Sequence, residues 1–152
     1  MTGSQSEPDR GAPELAIEFP RKPEYVRTVR QAIVALARLH GADEDVVEDI
    51  KLAVSEACNT TLVPVEGPGG SAVELMAWAG PEGLTVDVLD ADAAFDHAVA
   101  GPPGEISTDE LPFERALALP IIRGLASRVA IEPRPEGGAV TRMILSLEAS
   151  SG

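Results

Sequence analysis

The chain has 152 residues, 44% of them hydrophobic, which suits one domain with a substantial core. Aromatic residues make up only 3% and the net charge is −13, so the core must be aliphatic, and binding to nucleic-acid phosphates is excluded as a main activity. A single cysteine, Cys58, and the lack of any apolar run near the ~20 residues of a membrane span predict a cytoplasmic protein with no membrane contact.

Residues 1–13, rich in Ser, Gly, Pro and acidic side chains, read as a disordered tail; 14–148 read as the domain and 149–152 as a second tail. Leu15, Ile17 and Phe19 alternate with Ala16 and Glu18, a strand that Pro20 ends. Pro23 suits a first helical turn, and Val26, Val29, Ile33, Leu36, Ala37 and His40 keep helical spacing from Glu24 to His40. Gly41 supplies the stop, and Asp43 is a natural N-cap for the next helix. From Asp45 to Val63 the residues Val46, Val47, Ile50, Ala53, Val54, Ala57, Cys58 and Leu62 mark one buried face. At roughly 100° per residue, Asp49, Ala53, Glu56 and Thr60 form a row along its edge. A carboxylate in that row is near the core yet able to meet a ligand.

Pro64 to Gly70 is a break. Val73, Leu75 and Ala77 alternate with Glu74, Met76 and Trp78; a turn over 79–83 leads to a strand from Leu84 to Leu89, an antiparallel hairpin. Asp90 to Asp96, DADAAFD, closes that strand, and 98–112 form a long loop. A calcium loop is excluded at DADAAFD: the glycine and glutamate required at its sixth and twelfth positions are Phe95 and Gly101. Phe113 to Arg128 is helical by the stripe Leu117, Ile121, Ile122, Leu125 and Val129. Val129–Glu132 and Ala139–Leu147 then flank the turn 133–138 as a second hairpin. The order predicts an α/β (α+β) two-layer sandwich, a mainly antiparallel sheet covered on one face by three helices. GxGxxG and GxxxxGK[ST] are absent, which disfavours doubly wound nucleotide folds.

The runs KPEYVRTVRQAIVALARLHG, EDIKLAVSEACNTT and ERALALPIIRGLASRV resemble the RsbW-type anti-sigma factor and serine-protein kinase family. That family belongs to the GHKL ATPases, which share the histidine-kinase-like (Bergerat) fold. The resemblance implies ATP and Mg as cofactors, a sigma factor and an anti-anti-sigma protein as partners, and a homodimer contact on the first helix. Glu56 matches the family's catalytic glutamate. The magnesium-binding asparagine falls at Thr60, with Asn59 one place early and turned roughly 100° toward the outer face. A threonine hydroxyl is a poorer ligand than a carboxamide oxygen.

Asp90 matches the aspartate that accepts from the adenine amino group, while Asp92 and Ala94 stand where the family has glycines. The phosphate-binding GLGL is replaced by Ala116-Leu117-Ala118-Leu119, preceded by Arg115. Methyl groups there remove φ > 0 freedom and crowd phosphates. Arg27 and Arg30, at i and i+3, are predicted together on the outer side of the first helix as partner contacts. Two functions stay open: a binding module with weakened ATP use, and an active kinase that phosphorylates a serine of the anti-anti-sigma partner. A histidine-kinase catalytic domain is a weaker third. His40, at a helix end, and His97, at the loop edge, are not candidate actors.

Overall fold

A computed structural model describes residues 11–62, 70–92 and 113–149, with side chains from 118 onward in the last segment. The elements run β1 (Leu15–Phe19), α1 (Pro23–Leu39), α2 (Glu44–Asn59), a 3-10 turn (Thr60–Leu62), β2 (Val73–Gly80), β3 (Gly83–Asp90), α3 (Phe113–Leu125), β4 (Arg128–Pro133) and β5 (Ala139–Leu145). The strands pair antiparallel in the order β1-β2-β3-β5-β4. The expectations for the terminal tails fall largely outside the described residues, although the Gly11 carbonyl accepts from the Trp78 indole at 3.0 Å.

Strand alternation decides which face is which. Ile17, Leu75, Val88, Thr141 and Ile131 lie in one cross-strand row, and the neighbouring rows add Phe19, Val73, Val86 and Met143. Of these, Phe19, Val73, Leu75, Val86, Val88 and Met143, with Ile17 packed against them, meet the buried stripes of α1 (Val26, Val29, Ile33) and α2 (Val47, Ile50, Val54) in one core. The opposite face carries Met76, Trp78 and a charged pair. Arg142 grips Asp87 bidentately across β3 and β5 at 2.8 and 2.9 Å, which satisfies a carboxylate only 4% exposed.

Local chemistry sets the helix bounds. Asp43 caps α2 by accepting from the Val46 N–H at 3.1 Å. The helix stops at Asn59 rather than running to Val63 because Thr60 and Thr61 turn their hydroxyls back onto Ala57 and Cys58 carbonyls at 2.7 and 2.6 Å, and the chain tightens into the 3-10 turn. Helix α3 ends at Leu125, short of Arg128, since the Ser127 N–H bonds to the Ile144 carbonyl and leads into β4. The first hairpin turns on Pro81 and Glu82 alone, with Gly83 at φ +122 packed against the Leu145–Ser146 backbone. His40 does not continue the buried stripe of α1. It is exposed past the helix end, with its Nε2 2.9 Å from Glu14 Oε2.

Candidate functional site

The edge row on α2 comes out as its spacing requires. Ala53 is fully buried, Glu56 half-buried, Thr60 buried and Asn59 exposed on the outer side. Cys58 points into the core, and burial pushes its thiol pKa up to about 12, so it is inert. Thr60 faces inward. Its hydroxyl proton goes to the Ala57 carbonyl, and its side chain lines a crevice shared with Ala57, Ala118, Leu119, Ile122, Ile131 and Thr141. That crevice holds about 10 Å³, enough for about one water against the several hundred Å³ of a typical small-molecule site. The positions matched to the magnesium asparagine and to one phosphate-loop glycine therefore border one narrow crevice. This crevice does not fit a nucleotide phosphate.

Asp90 ends β3 and is buried. Strands β1 and β3 are both antiparallel to β2, so their C-terminal ends share one end of the sheet. Arg21, two residues past β1, reaches across that end. Its Nη2 lies 2.5 Å from Asp90 Oδ1 and 3.1 Å from Asp92 Oδ2. Its Nη1 donates to the Thr61 carbonyl at 2.8 Å and its Nε to the Ser71 carbonyl at 3.0 Å. One guanidinium thus ties the C-terminal end of α2 to the end of β3, and Glu56 lies about one and a half helical turns before that tie. Glu56 and Asp90 are brought to the same end of the molecule.

Burial alone would lower the Arg21 pKa, but the hydrogen bond and charge of Asp90, helped by Asp92, outweigh it and raise it. Asp92 is held below the usual aspartate range chiefly by the Ser71 N–H, which with the charge and hydrogen bond of Arg21 outweighs the desolvation that would raise it. Asp92, where the resemblance implies a glycine, is thus an acid held by hydrogen bonds from within the chain.

Arg21 has no place in any amphipathic stripe, so periodicity passes over it. The signal that finds it is topological: a cation just past β1, at the sheet end where β3 delivers Asp90. Arg27 is exposed on α1 as expected. Arg30 is not beside it on the outer surface; it leans between the helices toward Ser55 Oγ at 3.5 Å, with its Nε buried. Ala94, Phe95, Asp96 and His97, and the side chains of Arg115 and Ala116, lie outside the described residues. Among the described residues no group of three or more His, Cys, Asp or Glu could hold a metal, and no helix is long and apolar enough to cross a membrane.

Residues 19–145 match the histidine kinase-like ATPase domain. The chain is 28% identical over 129 residues to serine-protein kinase RsbW of Bacillus licheniformis, covering 81% of this chain and 80% of that protein. It is 28% identical over 127 residues to the Bacillus pumilus protein of that name, covering 78% and 77%. With RsbW of Listeria monocytogenes it shares 31% over 86 residues, 55% of this chain and 54% of that one. The five-stranded antiparallel sheet with its helices on one face agrees with those matches. The chain belongs to the histidine kinase-like ATPase family, in its RsbW-type branch of serine-protein kinases and anti-sigma factors.

Proposed function

We propose that the chain is a cytoplasmic regulatory protein of the anti-sigma type that grips a sigma factor, an anti-anti-sigma protein or both, with weakened use of Mg-ATP. The observation that carries this reading is the narrow crevice, about 10 Å³, that Thr60 and Ala118 both line. In-line phosphoryl transfer depends on positioned phosphates and a metal that neutralises their charge. A threonine whose hydroxyl is committed to Ala57 and a buried alanine on the same crevice supply neither readily.

Partner binding falls to the outer side of α1, through exposed Arg27 with half-buried Arg30 leaning away behind it, and a homodimer is an additional arrangement. Asp90 is assigned as the carboxylate that would accept from an adenine amino group. By the family match alone, Asp92, Ala94, Arg115, Ala116 and Ala118 are assigned to the phosphates, and Asn59 or Thr60 to the metal.

Half-buried Glu56 keeps a second reading alive: an active kinase in which Glu56 polarises the serine hydroxyl of the anti-anti-sigma partner. Calorimetric titration with Mg-ATP, together with a phosphate-transfer assay on an anti-anti-sigma protein, separates the two. The proposal expects no saturable heat below millimolar nucleotide and no phosphoserine. Micromolar binding with stoichiometric phosphorylation overturns it in favour of the kinase.

A further inference from the structure

The Asp90 carboxylate already holds a cation supplied by the chain itself. The guanidinium of Arg21 is nearly sealed, with 10% of its side chain exposed against 4% for Asp90. It meets four acceptors from three segments: the Thr61 carbonyl after α2, the Ser71 carbonyl before β2, and Asp90 and Asp92 at the end of β3. The arrangement is knitted further, since Asp92 N–H donates to Asp90 Oδ1 at 3.0 Å and Ser71 N–H donates to Asp92 Oδ2. Charge-assisted bonds of this kind are roughly twice as strong as neutral ones. An amine on a heterocycle is a neutral donor.

We propose that Arg21 is an intramolecular competitor for Asp90, so that an adenine nucleotide enters only when the Arg21 side chain leaves. This rests on the assignment of Asp90 as the base-recognising carboxylate. The contact controls specificity as well as affinity: what Arg21 withholds is the acceptor for an exocyclic amine, so its removal favours bases that carry one at that position. Arg21 stands two residues before Pro23, the first residue of α1, so the competitor is hinged directly to that helix.

Arg21→Met keeps the alkyl stem and volume while deleting the guanidinium. Arg21→Lys keeps a cation on Asp90 and serves as the folded control. Mg-ATP and Mg-ITP are titrated into the wild type and both variants, ITP presenting a carbonyl where ATP presents the amine. The expected result is at least tenfold tighter ATP binding by Arg21→Met, little change for Arg21→Lys, and no gain for ITP. Arg21→Met binding no tighter than a weakly binding wild type overturns the inference but leaves the weak-ATP reading standing. Tight binding by the wild type, unimproved in Arg21→Met, overturns both. Equal gains for ATP and ITP also overturn the inference, because the effect would then not pass through the amine acceptor. If Arg21→Met does not fold, an ATP-over-ITP gain in Arg21→Gln supports the inference and its absence overturns it.

Discussion

Replacing Ala118 by glycine introduces the residue type that the resemblance implies there, and its cost follows from the packing. Ala118 is interior to α3 and 5% exposed, with its methyl in the crevice beside Ala57 and Thr60. Alanine to glycine in a helix interior costs about 0.9 kcal/mol. Losing one buried methyl costs about 0.8 kcal/mol more. Together these predict a loss of about 1.7 kcal/mol, or about 5 °C in Tm for a chain this size.

Scanning calorimetry without nucleotide measures it. Gly124→Ala is the matched control on the same helix: its new methyl meets nothing within 4 Å, and the variant should be neutral or more stable by about 0.5 kcal/mol. Repeating the scans with millimolar Mg-ATP reads binding as a Tm rise, expected for Ala118→Gly,Thr60→Asn and smaller for the wild type. If Ala118→Gly costs no more than about 0.9 kcal/mol, the helix-propensity cost alone, Ala118 does not fill the crevice and the case for a narrowed phosphate side fails.

Three further outcomes follow from local chemistry. Asp43→Ala removes the N-cap of α2 and should cost about 1 kcal/mol in urea unfolding; an unchanged midpoint would show the cap is idle. Asp92 has a depressed folded pKa, so its contribution is fully present above the ordinary aspartate value of about 3.9. It is lost as pH falls through the lower folded value. Asp92→Asn should therefore flatten the acid limb of the stability–pH curve below about pH 4 and leave its slope between pH 6 and 8 unchanged. Cys58 has a thiol raised to about 12, so it contributes stability below its unfolded value of about 8.5 that fades as pH rises above it. Alkylation of Cys58 at neutral pH should proceed at the rate of unfolding, and fast labelling of the native protein would contradict its burial.

Much of the fold is legible in the sequence because its elements are governed by period. The stripe Val46, Val47, Ile50, Ala53, Val54 and Ala57 identifies α2, and the alternation of Val73, Leu75 and Ala77 identifies β2, each with the correct face inward. Element ends are harder, since they depend on single hydrogen bonds: the back-turned hydroxyls of Thr60 and Thr61, or the Ser127 N–H drawn to Ile144. The buried acid Asp87 is likewise invisible to alternation; only its register with Arg142 explains how it is tolerated.

At the candidate site, the edge row of α2 follows from helical geometry, and Asp90 from the strand it ends. The partner of Asp90 does not, because Arg21 is 69 residues away in sequence and lies in a connection with no periodicity. Arg30 misleads for a related reason. Its spacing from Arg27 fixes an angle around α1, but the side chain is long enough to fold back toward Ser55.

The most direct test is the affinity of the purified chain for an anti-anti-sigma or sigma partner, measured by calorimetry with and without 1 mM Mg-ATP (about the cellular scale, where a family kinase would be saturated). A partner-gripping sandwich with a narrowed phosphate side predicts the same Kd in both conditions, within about threefold. A Kd that shifts tenfold or more on adding Mg-ATP would mean that nucleotide reaches and couples to the partner surface, and would contradict the account.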